Sequence, residues 1–256
     1  LVFFPPAIFN LINKILMNIF STMVIVPAFN EEDRIGKMLD ELIKYENINE
    51  ILIVNDGSTD NTLDEIKKRN LRVVSHSKNR GKGGALRTGV KEFLQTEHDI
   101  IIFIDADGQH DPKDIKKFQK KFEIGNDDII IASRFGTDQW IKKMPFLRKL
   151  SNLLSRFGIW ILFNRLTIED PQNGYRAFRR EVFENISFHK NGYEAETEII
   201  INSHMNGYKI GHVHIETIYD ADGNSSKFSL LMDTWKIPNV MVRLFFKMKP
   251  FLKKSK

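Results

Sequence analysis

Ile100-Ile101-Ile102-Phe103-Ile104-Asp105-Ala106-Asp107-Gly108-Gln109-His110-Asp111 is the stretch whose reading decides the fold. A continuous apolar run that halts on alternating carboxylates reads as a buried central strand, one that delivers Asp105 and Asp107 to its C-terminal edge. That edge is where open α/β sheets bind ligands. Two carboxylates one residue apart, followed by the Gln109 amide oxygen, are hard oxygen donors. They suit Mg2+ or Mn2+, with substrate phosphates completing the octahedron. A lone Asp-x-Asp is more often just an acidic turn, here punctuated by Gly108 and Pro112, so its weight depends on the rest of the chain.

Working outward, the pattern from Thr22 alternates strand and helix at the spacing of a doubly wound, mostly parallel sheet with helices on both faces. The spacing predicts strands over Met23–Pro27, Ile51–Asn55, Arg72–Ser75, Ile100–Ile104 and Asp128–Ala132. Between the first two, Ile35, Met38, Leu39, Leu42 and Ile43 recur at helical spacing within Arg34–Tyr45. The first three strands hand polar residues to the same edge: Pro27-Ala28-Phe29-Asn30-Glu31-Glu32, Val54-Asn55-Asp56-Gly57-Ser58-Thr59-Asp60, and Ser77-Lys78-Asn79-Arg80-Gly81-Lys82-Gly83-Gly84-Ala85. A loop from Asp170 to Arg176, a helix over Glu194–Met205 and a strand over Lys209–Tyr219 follow.

The 256 residues suffice for one α/β domain with extensions, expected as an apolar segment 1–21, a domain 22–228 and a basic tail 229–256. There is no cysteine, which excludes disulfides, zinc–thiolate sites and thiol catalysis. The net charge is +5, but residues 230–256 hold seven basic side chains against Asp233, a local +6 that leaves −1 for the other 229 residues. The basicity is therefore a tail property, and no nucleic-acid-binding face is expected on the domain.

Residues 1–22 are apolar but interrupted by Pro5, Pro6, Asn10, Asn13, Lys14 and Asn18, too broken to span a bilayer. They read as an amphipathic segment for a membrane interface or a protein groove, and a secretory signal is not expected. Trp140–Arg165 sets Lys142, Lys143, Arg148, Lys149, Arg156 and Arg165 among Leu, Phe, Ile and Trp. It reads equally as a core helix with a solvated basic face or as a membrane-surface helix. Pro238 and Pro250 break the apolar, lysine-rich tail into pieces too short to cross a bilayer.

Gly81-Lys82-Gly83-Gly84-Ala85 matches a dinucleotide fingerprint only in part. As a glycine-rich loop opening a helix it could present backbone N–H groups and Lys82 to a phosphate, or be a plain turn. Asp56 could accept hydrogen bonds from a ribose or base, with Ser58, Thr59 or Asp60 capping the next helix. His212 and His214 share one strand face but lack a third ligand, so surface histidines are the expectation. Glu194 and Glu198 are explained by the helix dipole alone.

The five ordered motifs at Pro27–Glu31, Val54–Asp60, Asn79–Ala85, Asp105–Gln109 and Asp170–Arg176 together resemble family 2 glycosyltransferases, in the polyprenyl-phosphate (dolichol-phosphate) mannosyl or glucosyl synthase branch. The resemblance covers about residues 22–235. It implies a GT-A fold, a GDP- or UDP-linked sugar donor, a Mg2+ or Mn2+ ion, and inverting transfer of a mannose- or glucose-type sugar to a polyprenyl or dolichyl phosphate. It also implies that Pro27, Phe29, Glu31, Val54 and Asp56 form the nucleoside pocket, that Asp105, Asp107 and Gln109 are metal ligands, and that Arg134 meets donor or acceptor phosphate. Lys82 or Arg134 would help neutralise the leaving diphosphate. Arg148 and Ser151 resemble acceptor-side residues. The family's later Arg-x-x-Gly…Ser-Lys element survives only as Gly223, Ser226 and Lys227, because Tyr219-Asp220-Ala221-Asp222 contains no arginine.

A phosphate acceptor is already an anion near neutral pH and requires no general base, whereas Asp170 could act as one if the acceptor were a hydroxyl. The competing readings are transfer to a soluble sugar or glycan hydroxyl, and a silent GT-A scaffold subunit. Intact Asp105, Asp107, Gln109 and Arg134 argue against the scaffold. The expected setting is peripheral, on the cytoplasmic side of a membrane, with a membrane-protein partner or a second copy of the chain as further contacts.

Overall fold

The computed structural model describes residues 20–135, 146–163 and 166–216, with Ile218 and Arg243. The expectations for the first 19 residues, for residues 219–227 and for the tail lie outside the described residues, as does the side chain of Arg148.

Among the described residues seven strands form one sheet in the order β3-β2-β1-β4-β6-β5-β7. They are β1 Thr22–Ala28, β2 Glu50–Asn55, β3 Arg72–Ser75, β4 Ile100–Phe103, β5 Ile129–Ser133, β6 Arg176–Arg179 and β7 Ile210–His214. The helices are α1 Ile35–Leu42, α2 Thr62–Lys67, α3 Lys82–Leu94, α4 Ile115–Ile124, α5 Phe146–Leu162, α6 Arg180–Asn185 and α7 Glu194–Met205, with a 3-10 turn at Pro112–Asp114 ahead of α4. β1, β2, β3 and β4 are parallel neighbours. β6 runs antiparallel to both β4 and β5.

The sheet is thus mostly parallel, as expected, with β6 as its antiparallel member. This strand reaches the sheet by a loop from Asp170, and its Arg176, Ala177 and Phe178 pair with β4 and β5 at once. The last strand is also shorter than the predicted Lys209–Tyr219.

Alternation along the strands explains the layers. Met23, Ile25, Leu52, Val54, Ile101 and Phe103 pack with α3, α6 and α7 residues such as Leu86, Phe93, Phe183 and Ile199. Their neighbours Val24, Val26, Ile53, Ile100 and Ile102 pack on the other face with Ile35, Leu39, Phe118 and Phe122 of α1 and α4. A strand buried on both faces must be apolar throughout, which is why Ile100–Phe103 carries no polar break.

β1 sends the chain to β2 on one side while β4 lies on its other side, so the order reverses between β1 and β4. A crevice at the carboxyl ends of strands opens at such a point.

α5 covers part of the Trp140–Arg165 stretch. Ser151, Asn152, Ser155 and Ile159 are buried, whereas Phe146, Leu154, Phe157 and Ile161 are 75, 60, 60 and 54% exposed. The most exposed of its described side chains are therefore apolar, which favours the membrane-surface member of the two readings, while Lys142, Lys143, Arg148 and Arg165 lie outside the described side chains.

Candidate active site

A cleft of about 440 Å³ lies at the switch point, lined among others by Pro27, Phe29, Glu31, Asp56, Lys82, Asp105, Asp107, Gln109 and Arg134. Loops from β1, β2, β4 and β5, with the start of α3, bring these groups together.

The β1 and β2 loops are laced to each other. The Asn30 N–H donates to Ser58 Oγ (3.0 Å), the Thr59 N–H to Asn30 Oδ1 (2.8 Å) and the Glu31 N–H to Thr62 Oγ1 (2.7 Å). Asn30 adopts φ 53°, the left-handed region that asparagine tolerates better than most residues. Asp60 accepts from the N–H groups of Thr62 and Glu32, which ties the start of α2 to the β1 loop. Glu31 lines the cleft and pairs with Arg34 at 3.0 Å.

Asp56 is 3% exposed; its Oδ1 accepts from the Arg80 N–H (2.9 Å) and lies 2.6 Å from His76 Nδ1. Val54, expected in the nucleoside pocket, is fully buried in the layer under α3 and does not line the cleft. Val54 sits one residue short of the carboxyl end of β2, with its side chain turned into that layer.

The glycine-rich turn opens α3, but two of its amides are used internally. The Gly83 N–H donates to the Asn191 carbonyl (2.7 Å) and the Gly81 N–H to Asn79 Oδ1 (3.0 Å). Gly81 has φ 82°, and a Cβ there would strike the Asn191 carbonyl, so only glycine fits. The turn docks α3 on the 190–192 segment and leaves these amides no phosphate to bind.

Lys82 points into the cleft, with Nζ 2.7 Å from Asp105 Oδ1 and 3.0 Å from Glu196 Oε1, and Tyr193 stacks beneath it at 5.5 Å. Burial opposes its charge, but Asp105 and Glu196 prevail and raise its pKa. Burial likewise works against the Asp105 carboxylate, and Lys82 overcomes this to hold it below the usual range.

Among the described residues no ion pair reaches Asp107, although the Lys82 charge lowers its pKa somewhat. Burial, then repulsion from Asp105, pushes it up to about 7. Its Oδ1 accepts from the Gln109 N–H at 3.0 Å. His110 is buried against Tyr175 at 5.0 Å, and burial lowers its pKa to about 4, so the ring is neutral.

Among the described residues no group of three or more His, Asp or Glu converges to hold an ion. Asp105, Asp107 and Gln109 do face one cleft, and the unmet negative charge that raises Asp107 is what a hard divalent cation relieves. The oxygen donor set fits such a cation.

Arg134 enters from the end of β5, held by Asp170. Asp170 is fully buried, and Asn152 Nδ2 also donates to its Oδ1. Burial raises its carboxyl, but the Arg134 charge outweighs this and keeps it below the usual range. A carboxylate so engaged and so weakly basic is not placed as a general base, and Asp170 works instead by fixing Arg134.

Ser151 is buried on α5 and accepts from Gln172 Nε2 at 2.8 Å. It supports a cleft residue and does not itself line the cleft. Arg176, fully buried, donates to the carbonyls of Asn173, Glu196 and Pro171 (2.7, 2.8 and 2.8 Å) and so shapes the 170–176 loop.

The acids of α7 divide their work. Glu198 accepts from the His189 and Lys190 N–H groups, both at 2.8 Å, while Glu196 faces the cleft. The sequence reading, which explains Glu194 and Glu198 by the helix dipole, assigns nothing to Glu196, and His76 and Asn152 carry no local signal. His212 Nε2 accepts from the Glu169 N–H (3.2 Å), and the His214 side chain is 59% exposed.

The pattern of the family described as Glycosyl transferase family 2 matches residues 23–187. The chain belongs to that family. A family 2 glycosyltransferase is an enzyme, and the cleft is the candidate for its active site. An uncharacterized protein of Methanocaldococcus jannaschii is 41% identical over 77% of this chain and 81% of its own. The UDP-N-acetylglucosamine–dolichyl-phosphate N-acetylglucosaminyltransferase of Methanococcus voltae is 32% identical, covering 88% of this chain and 93% of that one. Among solved structures, glucosyl-3-phosphoglycerate synthase of Mycobacterium tuberculosis shares the fold with a TM-score of 0.70 at 21% identity, over 90% of this chain and 82% of that one. Its GT-A architecture is the fold found here.

Proposed function

We propose that this glycosyltransferase moves a sugar, with inversion, from a nucleotide-diphosphate sugar to a polyprenyl or dolichyl phosphate. The observation that carries the reading is one cleft that joins the Pro27–Phe29–Asp56 pocket to Asp105, Asp107, Gln109 and Arg134. Similarity to the Methanococcus voltae enzyme named for dolichyl phosphate supports the acceptor class.

In the step proposed, an oxygen of the lipid phosphate bonds to the anomeric carbon. The bond from that carbon to the diphosphate breaks, and the nucleoside diphosphate leaves with the electron pair. A divalent cation held by Asp105, Asp107 and Gln109 would supply neutralisation of the charge developing on that leaving group. Arg134, fixed by Asp170, contributes a second, immobile positive charge at the cleft wall. Orientation of a charged phosphate near the anomeric carbon then matters more than proton removal, and the engaged state of Asp170 accords with a reaction that needs no base.

A lipid phosphate presents its head group at a bilayer surface. Among the described residues no helix is long and apolar enough to cross a membrane. The outward apolar face of α5, one residue of which supports Gln172 at the cleft, is suited to lying on that surface, with the basic tail attracted to anionic lipid. The protein is then peripheral.

Purified protein with Mg2+ or Mn2+, a panel of UDP- and GDP-sugars, short polyprenyl phosphates and soluble sugar hydroxyls tests the reading. Transfer to the lipid phosphate is expected. Transfer only to hydroxyl acceptors, or none at all, would overturn it.

A further inference from the structure

His110 is 7% exposed and lines the cleft together with Asp105, Asp107 and Arg134. Its ring is held in place from two directions. Tyr175, itself fully buried, stacks on one face with 30° between the ring planes, and Phe118 backs Tyr175 at 4.7 Å. At the ring edge the Asp105 N–H donates to Nδ1 at 3.4 Å.

That edge contact decides where the hydrogen of the ring sits. A backbone N–H can only donate, so Nδ1 presents its lone pair and the one ring hydrogen is on Nε2. Among the described residues no group accepts from Nε2, and the nitrogen is not enclosed by protein. It is therefore a fixed N–H donor open to whatever enters the cleft.

The surrounding charges show what it adds. Asp105, Lys82, Arg134 and Asp170 all act on His110, so the ring lies within reach of both ion pairs of the cleft. In those pairs Lys82 is shared by Asp105 and Glu196, and Arg134 is clasped by Asp170. Charge draws an anion in without fixing how it turns, whereas a rigid N–H selects the oxygen that faces it. A group that can only donate suits an atom that can only accept, and the oxygens of an ionised phosphate are such atoms.

We infer that His110 Nε2–H donates a hydrogen bond to an oxygen of a substrate phosphate and sets its orientation, keeping its proton throughout. The inference rests on the transfer proposed above, in which the donor diphosphate and the lipid phosphate share this chemistry. Because Nδ1 of the same ring holds the Asp105 backbone, the oriented phosphate is tied to the strand end that carries Asp105.

Three substitutions separate the two nitrogens. His110→Asn keeps an acceptor where Nδ1 stood and loses the outer N–H, His110→Gln returns an amide N–H where Nε2 stood, and His110→Phe keeps a ring against Tyr175 without either nitrogen. In the full chain with Mg2+, calorimetry with UDP and GDP reads the donor diphosphate, and KM for a short polyprenyl phosphate reads the acceptor. With Asn and Phe, one of these constants should rise at least about fivefold, as for loss of a hydrogen bond to a charged group, while Gln stays within about threefold of wild type. Whichever constant rises identifies the phosphate. Neither constant moving overturns the inference. An equal rise with Asn, Gln and Phe also overturns it, since the shape of the ring and not its N–H is then responsible. So does weaker binding of a nucleotide sugar with its nucleoside diphosphate and the acceptor unaffected, which puts a sugar hydroxyl on Nε2. Wild-type protein that binds UDP or GDP but transfers nothing to polyprenyl phosphate overturns the lipid-phosphate reading instead, and calorimetry then tests His110 by itself.

Discussion

Arg134 and Asp170 meet as a buried two-point pair, with Nε 2.6 Å from Oδ2 and Nη2 2.8 Å from Oδ1. Asp170 comes from the loop ahead of β6 and Arg134 from the end of β5, so the pair joins two segments 36 residues apart. Because the carboxylate is fully buried, its removal leaves a buried guanidinium uncompensated. Asp170→Asn should therefore cost about 3–5 kcal/mol at neutral pH. The folded pKa of Asp170 lies below the ordinary 3.8. Its contribution to stability is thus fully present above that value and lost as pH falls through the lower folded one. Urea unfolding at about pH 7 and about pH 3 checks this: the gap between wild type and variant should shrink in acid. An equal gap at both would show that shape and not charge is responsible.

Asp107 is pushed up to about 7 by burial and by Asp105, which the nearby Lys82 charge offsets only in part. If a divalent ion meets that need, Asp107→Asn lowers turnover by at least about a hundredfold, as for loss of one electrostatic stabiliser. It also weakens Mn2+ binding as read by electron paramagnetic resonance. Full turnover of the variant in excess chelator would end the metal assignment.

Lys82 holds apart two acids, Asp105 at 2.7 Å and Glu196 at 3.0 Å. Lys82→Met should destabilise the fold by about 3–5 kcal/mol, because two buried carboxylates then face each other. Adding Glu196→Gln should recover part of that loss. A double-mutant cycle measures the coupling, and strict additivity would mean that Glu196 and Lys82 act independently.

The exposed apolar face of α5 and the basic tail are expected to anchor the protein together. Replacing Leu154 and Phe157, each 60% exposed, with Glu should reduce flotation with anionic liposomes and leave nucleotide affinity unchanged. Deleting residues 236–256 should do the same, since each basic residue near an anionic surface contributes about 1 kcal/mol. Flotation unaffected by either change would remove the membrane from the account.

What the sequence determined by itself was the sheet and the address of the site. Apolar runs that end on Asn55 and Asp105 announce the buried strands β2 and β4 and the edge at which they stop, and the spacing also gives the bounds of β3 at Arg72–Ser75, an edge strand that is only partly buried. Strand burial is a one-dimensional signal, set by the two-residue period of the backbone, so it survives without knowledge of neighbours. The direction of β6 was not legible, because antiparallel pairing with β4 and β5 is chosen by partners elsewhere in the chain. Only the tertiary structure decided which polar residues work in the cleft and which hold others in place. Asp170, a base in the sequence reading only for a hydroxyl acceptor, is occupied by Arg134 and Asn152; Ser151, which resembles an acceptor-side residue, supports Gln172; and Glu196, to which the sequence reading assigns nothing, lies against Lys82. A carboxylate's role depends on the charge and burial around it, and those are set by side chains that meet only when distant segments pack.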